Sequence, residues 1–162
     1  MSPKIFALIL WLGTVVFAVI VWWMLPENRH SNSELLQPNN HSIVSLGKEL
    51  YELQCASCHG VNLEGQEDWQ TRTIEGLLPA PPHDEKGHTW HHPDEVLFKI
   101  TKFGVAKAAN LENYKSSMQP YKDILSDEEI IAVLSFIKSS WPAELRSAHD
   151  EMNERYSLEP KK

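Results

Sequence analysis

The chain has 162 residues, a formal charge of -7, 42% apolar residues and two cysteines. Two thiols exclude a disulfide-stapled scaffold, which normally carries four or more. Of the 15 Lys and Arg only Lys4 precedes Glu27, and none of the 22 Asp and Glu does, so the chain beyond its first turns is acidic and repels nucleic acid.

Residues 5–25 form an uncharged apolar run. At 1.5 Å per residue its length matches a hydrocarbon core of about 30 Å. A cleaved secretory signal has an apolar stretch of about 7–15 residues ending on small side chains. Here the run closes on Trp22-Trp23-Met24-Leu25-Pro26, and paired tryptophans suit a membrane interface. The expectation is an uncleaved single-pass anchor over residues 1–27, embedded in lipid. Lys4 and the terminal amine against Arg29 lean toward a cytoplasmic N-terminus. About 135 residues remain, enough for one modest domain.

Residues 28–41, NRHSNSELLQPNNH, show no sustained apolar period and read as a flexible polar linker reaching roughly 20 Å. From Ile43 the pattern turns helical: Ile43, Leu46, Gly47, Leu50, Tyr51 and Gln54 share one face. Gly47 in mid-face costs about 1 kcal/mol against alanine, which points to close approach of another helix. His92-Pro93-Asp94-Glu95 opens a second long helix, with Pro93 at its first position and acids in its first turn. Val96, Leu97, Ile100 and Phe103 give that helix an apolar face, and Gly104 stops it. Ser126-Asp127-Glu128-Glu129 is a capping box, with Leu125 and Ile130 placed as a hydrophobic staple. Ile130, Val133, Leu134, Ile137 and Trp141 form the buried stripe, widened by Ile131 and Phe136, and Pro142 ends the helix. Residues 143–162 read as a charged tail, at most a short exposed helix that frays. No stretch alternates with period two long enough for a strand, so the class is all-α.

Cys55-Ala56-Ser57-Cys58-His59 is the most specific signal. Cys-x-x-Cys-His is the attachment pattern of haem c: two thiols a helical turn apart bond the vinyl groups, and the adjoining imidazole ligates iron. A thioredoxin-like pair requires a βαβ setting and a zinc knuckle a second pair of thiols, and the chain has neither. One covalent haem c is expected, and with it a compartment outside the cytoplasm.

On these residues the chain from Ile43 to Trp141 resembles a class I, single-haem cytochrome c of the membrane-anchored bacterial type, with the domain at residues 42–142. The family places a glycine and an aromatic eight and four residues before the first cysteine, where they pack on the C-terminal helix. Gly47, Tyr51 and Cys55 keep that spacing, with Val133 and Phe136 the expected opposing residues. The resemblance implies a methionine as sixth iron ligand opposite His59, from the loop before the last helix. Met118, 59 residues after His59, stands there, whereas Met1 and Met24 belong to the anchor and Met152 to the tail. Many bacterial relatives read Met-Pro at this point; this chain reads Met118-Gln119-Pro120-Tyr121. The rival ligands are His83, His88, His91 and His92. The family also uses a proline carbonyl to hold the ligating imidazole, a bond that fixes ring orientation, and Pro79, Pro81 and Pro82 are the candidates.

Four of the eight histidines fall between His83 and His92. One reading is a second metal site for copper or zinc; the other is a polar loop along the haem edge, with Trp90 covering the macrocycle and a histidine bonding a propionate. Lys99, Lys102, Lys107, Lys115 and Lys122 against Glu112 alone make the surroundings of Met118 locally basic, which suits steering onto an acidic partner. The expected function is single-electron relay between respiratory components through a His/Met-ligated haem, without catalysis. The expected partners are a quinol-oxidising complex, a dehydrogenase or a terminal oxidase, and the place is the periplasmic side of a bacterial inner membrane. The alternatives are a haem peroxidase or gas sensor with an open sixth position, or periplasmic metal handling through the histidine loop.

Overall fold

The computed structural model describes residues 35–159, all helix, turn and loop with no strand among them. The all-α expectation therefore holds for the described residues. The expected anchor lies outside them, and among them no helix is long and apolar enough to cross a membrane.

Helix α1 (His41–Gln54) begins at Asn40, whose side chain accepts from the Ile43 N–H, satisfying one of the donors that a helix start leaves open. It ends at Cys55, and a single turn, α2 (Ala56–His59), carries the rest of the Cys-x-x-Cys-His run. After a long loop come a 3-10 turn (Thr89–His91), α3 (Asp94–Phe103), a short α4 (Val105–Ala108), α5 (Asp127–Ser139) and α6 (Ala143–Leu158).

Helices α1 and α5 make the principal crossing. A Cβ at Gly47 would run into the backbone carbonyl of Ala132 and sit 3.0 Å from Phe136 Cβ. The glycine is thus where the sequence pattern needs a close approach, but Ala132, not Val133, lies against it beside Phe136. Tyr51 is fully buried one turn on, its ring tilted against Phe136 at 5.4 Å. Leu46, expected on this buried face, is 41% exposed; Gly47 and Tyr51 are the fully buried residues of α1, with Ile43 and Leu50 half-buried beside them.

The capping box of α5 forms both ways: Ser126 Oγ accepts from the Glu129 N–H and Glu129 Oε2 from the Ser126 N–H. Leu125, Ile130, Val133, Leu134, Ile137 and Trp141 are buried as the periodicity requires. Pro93 stands at the N-cap of α3 and not at its first position, and the buried face is Asp94, Leu97 and Thr101. Val96, Ile100 and Phe103 are only half-buried. The inner face of α3 carries a carboxylate, which an apolar period cannot reveal.

That carboxylate explains two further departures. Residues 35–40, expected to be flexible linker, are docked: Leu36 is 1% exposed, its N–H donates to Asp94 Oδ2 at 3.1 Å, and the Gln37 N–H donates to Ser135 Oγ at 2.8 Å. The expected fraying tail is instead the 16-residue α6, with His149 and Asn153 buried. Asn153 Oδ1 accepts from the Asp94 N–H at 2.8 Å, and His149 Nε2–H donates to the His92 carbonyl at 2.9 Å. Lys138 of α5, fully buried, reaches Asp150 at 2.6 Å and Asp94 at 3.6 Å. Charged groups this deep are retained when paired and costly when one partner is lost. Burial holds the His149 imidazole below its ordinary range, assisted by the Lys138 charge and opposed by the His92 carbonyl, Asp94 and Asp150.

Candidate haem-binding site

The attachment run is set by the end of α1. Cys55 N–H donates to the Tyr51 carbonyl at 2.8 Å, and His59 N–H to the Cys55 carbonyl at 2.9 Å. The two cysteines are free thiols, Cys55 half-buried and Cys58 exposed. Burial first, and then the neighbouring Cys58, pushes the Cys55 thiol up to about 11, so it is protonated at neutral pH. The Tyr51 hydroxyl donates to the Gly60 carbonyl at 2.8 Å, clasping α1 to the far end of the run. Burial pushes this phenol well above its ordinary range, helped by Cys55 and Glu64.

His59 is buried, and its Nδ1–H donates to the Pro81 carbonyl at 2.9 Å. Among Pro79, Pro81 and Pro82, the structure selects Pro81. The carbonyl is aimed by a short loop-to-loop seam. The Gly65 N–H donates to the His59 carbonyl, the Gln66 N–H to Ala80 O and the His83 N–H to Leu63 O, all within 2.8 Å. Gly65 has φ +68, and a Cβ there would strike the backbone of Pro81 and Pro82. Only glycine lets the two loops close at this point. Burial lowers the His59 pKa, opposed by the Pro81 bond. A neutral imidazole with Nδ1 engaged leaves Nε2 carrying the lone pair that a metal needs.

Met118 is half-buried against the core that holds Tyr51 and Leu97, its N–H donating to Ser116 Oγ at 3.1 Å. Its loop is tied in by Tyr121, which sequence reasoning missed. The buried Tyr121 hydroxyl donates to the Gln54 carbonyl at 2.8 Å, and its N–H to Thr101 O at 3.0 Å. The loop bearing Met118 is thus fastened to the residue preceding Cys55. An aromatic three residues beyond the methionine was the available signal.

The four loop histidines do not converge on one point, although the His88 and His92 rings meet edge-on at 5.5 Å. His83 stacks on His59 with ring centroids 4.0 Å apart. His88 stacks on Trp69, and His91 on Trp90. His92 supplies its carbonyl to His149. Among the described residues no three His, Cys, Asp or Glu side chains converge as a metal site. Burial, then His59 and His88, holds His83 well below the usual imidazole range.

Three of the five lysines near Met118 lie close to carboxylates: Lys99 to Glu95 at 2.8 Å, Lys102 to Asp127 at 2.6 Å and Lys122 to Asp123 at 3.4 Å. The local positive charge is therefore weaker than the sequence stretch alone implies.

The residues present fit a covalently held haem. Two free thiols one turn apart precede an imidazole whose remaining nitrogen is a bare acceptor. The Trp90 Nε1–H is buried with no hydrogen-bond partner among the described residues, and a buried donor of that kind calls for an acceptor.

Residues 44–141 match the family model described as Cytochrome c. No curated protein and no solved structure matches the chain.

Proposed function

The chain belongs to the cytochrome c family, which binds haem c covalently, and from that premise we propose that it is a class I, single-haem electron carrier of the membrane-anchored bacterial type. In this reading residues 1–27 anchor it in the inner membrane, and the domain at residues 42–142 faces the periplasm. Residues 36 and 37 pack on the domain through Asp94 and Ser135 and so belong to it, not to the tether. Electrons pass singly between respiratory components such as a quinol-oxidising complex, a dehydrogenase or a terminal oxidase.

Cys55 and Cys58 would bond the haem, and His59 and Met118 would hold its iron. Bound haem supplies an iron that takes up and gives back one electron. The chain's own residues keep that exchange free of rearrangement. The Pro81 carbonyl holds the His59 ring by Nδ1, which raises the basicity of the other nitrogen. Tyr121 steadies the Met118 loop from Gln54. Tyr51, Leu97, Ile130 and Val133 belong to one buried apolar cluster, which also holds Ala56 of the attachment run. A methionine ligand raises the potential relative to a second histidine, which suits a high-potential carrier.

The observation that carries the reading is the His59–Pro81 bond beside two free thiols. Of the rival ligands, His83 has its ring stacked on that of His59 at 4.0 Å, which supports giving the second ligand role to Met118. The test is the intact mass of the protein matured with haem, with Cys55→Ser and Cys58→Ser variants. The reading predicts one haem per chain resistant to acid extraction, and loss of that resistance in the double variant. Extraction of all haem from the wild type would overturn it.

A further inference from the structure

We infer that His83 is a positioning residue that fixes the plane of the His59 imidazole. The inference rests on the ligand role proposed for His59.

The His59 ring turns about its Cβ–Cγ bond, and one hydrogen bond at a ring nitrogen restrains that turn only softly. The Pro81 carbonyl provides that point at 2.9 Å. Two residues on, the His83 ring lies over the face of His59, 4.0 Å between centroids and 21° from parallel. One short segment, Pro81 to His83, therefore holds His59 by an edge and by a face, and the two contacts together stiffen the plane of the ring.

A surface that orients another group must itself be fixed, and His83 is held on every side. Its N–H donates to the Leu63 carbonyl at 2.7 Å, and its carbonyl accepts from Trp141 Nε1 at 2.8 Å. Its Nδ1 lies 2.8 Å from Thr89 Oγ1, and the Thr89 hydroxyl has the Pro82 carbonyl as its own acceptor at 3.4 Å. With the hydroxyl proton directed there, Thr89 accepts from His83 Nδ1–H. The Tyr51 ring meets His83 edge-on at 6.3 Å. A leucine at this position would pack but present no flat face. The purpose of a planar ring is its plane, because the orientation of a ligating imidazole and the strength of its outer hydrogen bond set its donor power toward the metal.

The test uses the full-length haem-loaded protein with His83→Leu, His83→Phe and His83→Gln. The readouts are the hyperfine-shifted proton resonances of the His59 ring in the oxidised state and the midpoint potential, with thermal unfolding as a check on folding. In His83→Leu the ring is released and its bond to Pro81 slackens. The His59 resonances move and the potential rises, since a weaker donor favours the reduced iron. His83→Phe keeps the flat face and the backbone bonds to Leu63 and Trp141, and returns both readouts toward wild type. If His83→Leu does not fold, His83→Gln against His83→Phe decides: glutamine keeps a polar group for Thr89 without a ring, and phenylalanine the ring without the bond. The inference is overturned if leucine leaves resonances and potential at wild-type values, or if phenylalanine departs from wild type as far as glutamine or leucine does. A wild-type protein lacking the spectral signature of methionine ligation refutes the Met118 assignment, while the His59 resonances still decide this one.

Discussion

Replacing Gly47 with alanine sets two effects of known size against each other. Alanine is favoured over glycine in a helix interior by about 1 kcal/mol, so α1 taken alone gains. In the folded protein the new methyl would meet the Ala132 carbonyl of α5, with Phe136 Cβ, one turn along the same helix, 3.0 Å away. Backbone atoms have no rotamer in which to yield, so the helices must part. Forcing extra volume into a packed seam typically costs about 1–3 kcal/mol, occasionally more. This seam sits at the severe end, because parting it also loosens the buried Tyr51, whose ring packs on Phe136 of α5 at 5.4 Å. A gap of about 0.5–1 Å forfeits a quarter to a half of each dispersion contact it opens. Taking the upper part of that range and deducting the propensity gain leaves a net loss of about 2 kcal/mol. With a urea slope of about 2 kcal/mol/M, the unfolding midpoint of the haem-loaded protein should fall by about 1 M, with the slope unchanged. Ser45→Ala, on the exposed side of the same helix, has a smaller propensity gain and no clash, and should match or slightly exceed wild type. A Gly47→Ala midpoint at or above wild type would mean that α1 and α5 take up the methyl without parting.

Two further predictions concern the buried polar network. Lys138→Met strands the Asp94 carboxylate in the interior and should cost about 3–5 kcal/mol in equilibrium unfolding. Adding Asp94→Asn removes the stranded charge and should recover part of the loss, whereas a double variant no more stable than Lys138→Met would contradict this. His149 is predicted to make stability pH-dependent. Its folded-state pKa lies below the unfolded value of about 6.5, so between the two the unfolded chain holds a proton that the native protein does not. Its contribution to stability is complete above about pH 6.5 and is lost as pH falls toward the folded pKa. The groups facing it are Asp94, Lys138 and Asp150. Unfolding midpoints from pH 8 to 5 should therefore fall more steeply in wild type than in His149→Gln, and a difference between the two that stays constant with pH would count against the assignment.

What the sequence disclosed and what it hid divide along physical lines. Cys55, Cys58 and His59, the Gly47–Tyr51–Cys55 spacing and the Ser126–Glu129 capping box are local patterns whose chemistry depends on fixed intervals along one helix, so they are legible without a structure. Pro81 was not separable from its neighbours, because its carbonyl is aimed by Gly65, sixteen residues earlier, through a loop seam that no periodicity encodes. The four loop histidines read as one group by composition, yet His83 turns inward against His59 while His88 and His91 stack on separate tryptophans. The docking of α6 and of residues 35–40 escaped notice because Asp94, Lys138, His149 and Asn153 bury polar groups. A search for apolar stripes assigns such residues to the surface.

The central claim, a six-coordinate haem that only passes electrons, is tested most directly by a redox titration of the purified protein followed by optical spectroscopy. The account predicts one reversible one-electron transition, low-spin spectra in both states, and in the oxidised state the weak near-infrared band of methionine-to-iron charge transfer. That band should be lost in Met118→Ala. A high-spin oxidised spectrum without the band in the wild type would contradict the account.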